Sequence, residues 1–156
     1  MENNDILRSL RYTLNIGDAK MIEIFAKAEQ TVTRAEISNW LKKEDDPEFK
    51  AIFDKDLATF LNGFILDTRG KREGEIPIAE KSLTNNMVFR KLKIALNLKD
   101  EGILEILALR DIRISKHELS AFFRKPEQDQ YRPCKDQILR NFLQGLQMKF
   151  RPGLES

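Results

Sequence analysis

The chain has 156 residues, 41% apolar and 33% charged, a mixture that suits a folded domain rather than a disordered tail. A net charge of +2 demands neither a nucleic acid nor an acidic substrate. With Cys134 the sole cysteine and His117 the sole histidine, an intrachain disulfide and an ordinary zinc site built from four Cys or His ligands are both excluded.

The opening Met1-Glu2-Asn3-Asn4-Asp5 is polar and acidic, unlike the basic start and apolar run of a signal peptide. No apolar stretch approaches the roughly 20 residues that span a bilayer, so no membrane association is expected and the chain reads as cytoplasmic. A first helix is predicted over 4–14, with Ile6, Leu7, Leu10 and Leu14 on one face and Asn3 or Asn4 as its N-cap. Asn15 follows, a residue that tolerates the left-handed conformation ending a helix. Asp18 is read as the cap of a second helix carrying Met21, Ile22, Phe25 and Ala28. The third opens on a capping box, Thr33-Arg34-Ala35-Glu36, with Ile37, Trp40 and Leu41 inward. The fourth is predicted to start at Asp46-Pro47 and to run through Phe49, Ile52, Phe53, Leu57, Phe60, Leu61 and Phe64. Residues 70–84 contain Gly70, Gly74 and Pro77 among charges and read as a linker. Glu75-Ile76-Pro77-Ile78 alternates, but its proline would interrupt a central strand.

From Asn85 the pattern begins again. Shifting the chain by 82 positions lays Asn3–Arg69 on Asn85–Arg151 without a gap. Asn3-Asn4 falls on Asn85-Asn86, Arg8 on Arg90, Leu14-Asn15 on Leu96-Asn97 and Asp18 on Asp100. Glu23-Ile24, Glu36, Ser38 and Asp54 fall on Glu105-Ile106, Glu118, Ser120 and Asp136. Leu57, Phe60, Leu61 and Gly63 fall on Leu139, Phe142, Leu143 and Gly145. A second capping box, Ser115-Lys116-His117-Glu118, opens the third helix of this copy. Pro133 replaces Ala51, so here the fourth helix is expected to begin near Pro133, after irregular chain over Lys125–Arg132. The fold class is therefore all-α: two tandem four-helix repeats, 3–69 and 85–152, joined by a linker at 70–84. So small a unit buries only a modest core alone, and the copies are expected to pack together about a pseudo-twofold axis.

The pattern Asn-Asn-x-apolar-apolar-Arg-x-Leu followed by Leu-Asn-x-x-Asp, present twice, resembles the YehS-like family of small bacterial proteins, a domain of unknown function. The resemblance covers essentially the whole chain, including Tyr131–Arg140. It implies the length, the duplication and a bacterial cytoplasmic origin, and it carries over no activity, ligand or catalytic residue.

Polar residues kept in both copies mark a shared constraint. Asn3/Asn85, Asp18/Asp100 and Glu36/Glu118 are read as helix caps. Arg8 with Glu23, and Arg90 with Glu105, are expected to form interhelical ion pairs at the core edge, or else to turn the arginines toward an anionic ligand between the copies. Cys134 stands where the first copy has Ile52 and reads as core; His117 reads as solvated; nothing places the two together as nucleophile and base. Trp40 and Phe122 lie on an apolar face and read as core rather than as stacking platforms.

Charge is uneven. Residues 1–82 hold 13 Lys and Arg against 16 Asp and Glu, net −3; residues 83–156 hold 14 against 9, net +5. Arg113, Lys116, Arg124, Lys125, Arg132 and Lys135 gather around the third helix of the second copy, and helices two and three could pass for a helix-turn-helix. The reading is a non-enzymatic binding or regulatory module holding a protein partner or small anion where the copies meet. The alternative is DNA or RNA binding through the basic second copy, and association between copies of the chain is a further route. No catalytic residue, cofactor or metal is expected.

Overall fold

The computed structural model describes residues 1–70 and 77–151. Among these residues it contains eight helices and no strand. They are α1 (Asn3–Leu14), α2 (Asp18–Lys27), α3 (Arg34–Leu41), α4 (Asp54–Arg69), α5 (Asn85–Ala95), α6 (Asp100–Ala108), α7 (Lys116–Ala121) and α8 (Asp136–Phe150). The chain divides into two compact units, one ending at Leu83 and the other starting at Thr84. Every helix of the second unit begins 82 residues after its counterpart, so the repeat in sequence is a repeat in structure. The part of the expected linker over 71–76, with Gly74 and the start of the alternating run at Glu75-Ile76, lies outside the described residues.

In the first unit α2 packs against α3 and α4, while α1 packs on α3 and α4. The core is Leu7, Leu10, Met21, Ile24, Phe25, Ile37, Leu57, Phe60 and Leu61, none more than 1% exposed. Each such side chain contributes about 1.5–3 kcal/mol by leaving water, and together they outweigh weak propensities in short helices. Phe25 is the hub, its ring 5.6 Å from Trp40 and 5.3 Å from Phe60. In the second unit Phe89 takes this role against Phe122, Phe123 and Phe142.

The turns repeat as closely. Asn15 and Asn97 hold φ of 53° and 51°, the left-handed conformation expected where helix one stops. Glu29 and Asp111, also equivalent, turn the same way at 63° and 60°. Gly63 sits against α2 so tightly that a Cβ there would lie 2.0 Å from the Ile24 carbonyl oxygen; at Gly145 the distance to the Ile106 carbonyl is 2.4 Å. Only a residue without a side chain lets the second and fourth helices approach so closely.

Three sequence expectations are corrected. The N-caps of α1 and α5 are Glu2 and Thr84, so Asn3, Asn4, Asn85 and Asn86 already lie inside the first turn. Asp18 and Asp100 are the first helical residues after the caps Gly17 and Lys99; their carboxylates lie 3.1 Å from Arg11 and 3.9 Å from Lys93. Finally, α4 does not start at Asp46-Pro47. Residues 42–53 are non-helical, α4 begins at Asp54 and α8 at its counterpart Asp136, so the expected difference between the copies disappears. The reason lies in the asparagines.

Candidate functional site

Asn4 is 2% exposed, and its side-chain amide makes three hydrogen bonds to backbone. Its Nδ2 donates to the Trp40 and Lys50 carbonyls, both at 2.8 Å, and its Oδ1 accepts from the Ile52 N–H at 3.2 Å. Asn86 does the same in the second unit. It donates to the Phe122 and Arg132 carbonyls at 3.0 and 2.8 Å and accepts from the Cys134 N–H at 2.8 Å. Beside it, Asn3 donates to the Ile52 carbonyl and to Asp54 at 3.1 and 2.7 Å. Asn85 donates to the Cys134 carbonyl and to Asp136 at 3.0 and 2.7 Å. A side-chain amide thus satisfies backbone groups that a helix would have paired internally. That holds 50–52 and 132–134 off the helical path and lets Ile52 and Cys134 enter the core, 3% and 4% exposed.

The arginines join the same framework. Arg8 donates to the Lys42 carbonyl at 2.7 Å and lies 2.5 Å from Asp5, while Arg90 donates to the Phe123 carbonyl. Glu23 sits 3.1 Å from Lys20 on its own helix, and Glu105 is exposed. The interhelical pair expected between Arg8 and Glu23 is therefore replaced by bonds from Arg8 to the end of α3. A helix end leaves its last carbonyls without partners, and a guanidinium close by satisfies one of them.

The remaining candidates separate into inside and outside. Trp40 and Phe122 are buried, 7% and 9% exposed, within the aromatic clusters. Cys134 is buried, and that burial pushes its thiol up to about 12. His117 is exposed on the first turn of α7. Arg113, Lys116, Lys125, Arg132 and Lys135 are exposed, while Arg124 is half-buried with its Nε buried. Lys116 meets Glu101 of α6 at 2.6 Å, a contact that raises the lysine and lowers the carboxyl. Both side chains are 62% exposed, so the pair is open to salt and to competing anions. The Ser115 N–H first, and the charge of Arg132 after it, hold the Glu118 carboxyl below its usual range. Among the described residues no group of three or more His, Cys, Asp or Glu is placed to hold a metal ion, and no helix is long and apolar enough to cross a membrane.

Sequence reasoning missed the asparagine clamp because two asparagines at a helix start look like caps. The signal was there in the second of each pair: Asn4 and Asn86 recur one position too deep for capping, where asparagine is a poor helix former.

The family described as protein of unknown function (DUF1456) matches the chain twice, at residues 3–70 and 85–152. The chain belongs to this family. A relative, "Uncharacterized protein YehS" of Escherichia coli (strain K12), is 42% identical over 147 residues, 94% of each chain. No solved structure matches. The two DUF1456 matches start on the first residues of α1 and α5, so each matched segment of this chain begins with the paired asparagines.

Proposed function

We propose that the protein is a non-enzymatic helical binding or regulatory module that recognises an anionic partner by charge on the outer surface of its repeats. What supports this reading is how the duplicated polar residues are used. Asn3, Asn4, Arg8 and Asp54, with their counterparts, are committed to holding backbone and one another. Arg34/Lys116, Lys43/Lys125 and Lys50/Arg132, basic in both copies, stay exposed. Cross-linking of the full chain in lysate, with mass-spectrometric identification, tests it against a variant neutralised at Lys116, Lys125 and Arg132. A partner captured by the wild type and lost from the variant is the expected result; an identical set from both sinks the reading.

A second reading, DNA or RNA binding through the basic second repeat, is favoured by the exposure of Arg113, Lys116, Lys125, Arg132 and Lys135 around α7. Phosphate contacts release counterions, so affinity should fall steeply with salt. A salt series of fluorescence-anisotropy titrations against mixed DNA and RNA fragments tests this. Absence of binding at low salt removes it and leaves the first reading.

A further inference from the structure

The two copies differ in how they neutralise cations at the same positions. In the first, Arg8 donates to the Lys42 carbonyl with one terminal guanidinium nitrogen and meets the Asp5 carboxylate at 2.5 Å with the other. Arg11, one turn on, meets Asp18 at 3.1 Å. Lys42 meets Glu48 at 2.8 Å and the Asn39 side-chain oxygen at 3.1 Å. Each of these cations has an acceptor inside its own unit.

The second copy has the cations as Arg90, Lys93 and Arg124 but not the same acceptors. Met87 stands for Asp5, Gln130 for Glu48 and Ala121 for Asn39. All three cations adjoin one residue, Phe123. Arg90 donates to its carbonyl with one nitrogen, Lys93 Nζ lies 4.4 Å from the centroid of its ring, and Arg124 follows it in the chain. Lys93 keeps Asp100, at 3.9 Å. Arg124 has its Nε buried without an acceptor, and among the described residues neither it nor Arg90 meets a carboxylate. Glu127 and Asp129 follow in sequence and pair with neither. Like charges one turn apart on a helix repel, and a guanidinium nitrogen taken from water without an acceptor costs free energy. An anion seated here relieves the repulsion.

We infer that Arg90, with Lys93 and Arg124 beside it, is a docking site of the second unit for carboxylates on an acidic peptide segment of another protein; this rests on the first reading above, a partner recognised by charge. The first copy shows which anion the position takes: a carboxylate carried on a polypeptide, Asp5, held by the nitrogen of Arg8 that the carbonyl leaves over. Met87 leaves that place at Arg90 to a carboxylate from outside. One exposed ion pair contributes little in water, so a segment with successive acidic residues fits the neighbouring cations better than a lone carboxylate does.

The test uses the full chain and a labelled hexaglutamate peptide, followed by fluorescence anisotropy at low salt. Met87→Asp gives the second copy the carboxylate that the first has in Asp5, in a first helical turn where an acid is favoured, so Arg90 is filled from within. It should weaken hexaglutamate binding by about fivefold, the upper end for one exposed ion pair. Met87→Asn, which adds no charge, should bind as wild type does. Gln144→Glu, which adds the same charge at an exposed position of α8, should cost less than about twofold. Equal losses in Met87→Asp and Gln144→Glu mean diffuse attraction; they overturn the site and leave the charge-recognition reading standing. A labelled hexanucleotide that binds more tightly than hexaglutamate, and is equally weakened by Met87→Asp, moves the assignment to phosphate and also overturns the inference. No binding of either probe overturns both. Should Met87→Asp melt below wild type, Lys93→Gln is compared with Lys149→Gln, an equal loss of charge near the end of α8; the first should bind hexaglutamate more weakly, and equal losses again overturn the site.

Discussion

At the scale of single residues, the amide of Asn4 does the work of several backbone partners. Asn4→Ala leaves the Trp40 and Lys50 carbonyls and the Ile52 N–H without it. An unmade buried hydrogen bond costs about 1–3 kcal/mol, so the variant should lose about 3 kcal/mol or more in urea denaturation. Asn3→Ala, at a part-buried site, should lose about 1 kcal/mol. Equal losses at the two positions would argue that the clamp is not centred on Asn4. Cys134 gives a pH signature. Its thiol would ionise near 9.0 in the unfolded chain and near about 12 in the folded one. The unfolded state releases its proton first as pH rises, so stability contributed by the neutral thiol is complete below 9 and declines through the window from 9 to 12. The slope reaches at most about 1.4 kcal/mol per pH unit. Denaturation midpoints of wild type and Cys134→Ala across that range should converge as pH rises, and parallel curves would contradict the assignment.

Among the elements, the short third helix depends on its first turn. Glu36 N–H donates to the Thr33 hydroxyl at 3.1 Å and Thr33 N–H to Glu36 at 2.9 Å, with Ser115 and Glu118 repeating the exchange. Thr33→Ala should cost about 1 kcal/mol. Gly63→Ala should cost more, because its methyl meets carbonyl backbone of α2 and not a movable side chain; a loss of about 2 kcal/mol or greater, read from the thermal midpoint, is expected. These local devices also mark how far the sequence was legible. The capping boxes, the left-handed Asn15 and the apolar faces of the first three helices are local patterns, and they emerge where the spacing puts them. The start of the fourth helix was not, since Asp46-Pro47 satisfies every local rule for a helix start. The asparagine that overrules it holds Lys50 and Ile52 from 46 and 48 residues away. For the candidate surface, Lys116 and Arg132 could be picked out by type, while the tie from Arg8 to Lys42 needed coordinates.

For the whole molecule, the duplication lets one repeat serve as the control for the other. Residues with the same role twice, such as Asn4 and Asn86, belong to the architecture; Lys43 and Lys125, basic in both copies, stand exposed in the turn after the third helix. The asymmetry of −3 against +5 sits on top of that common plan. Substituting the first group should lower stability in either repeat, and neutralising the second should change salt-dependent binding while leaving the melt in place. Thermal melts paired with the anisotropy series separate the two, and a surface variant that loses stability in proportion to binding would undo the distinction.

The clamp also sets an order of events on the ribosome. Asn4 is among the first residues made, yet its contacts at Lys50 and Ile52 do not exist until most of the first copy has left the exit tunnel. Residues 53–85 then emerge before Asn86 does. During that interval the only segment available to Asn4 is its own, so the early copy is closed before an identical grip could compete for it. Release from denaturant offers no such schedule: both asparagines and both segments become available together, and a fraction of chains should first close crosswise. Refolding of the full chain should therefore show a slow phase that translation from the N-terminus avoids, and that Asn86→Ala removes.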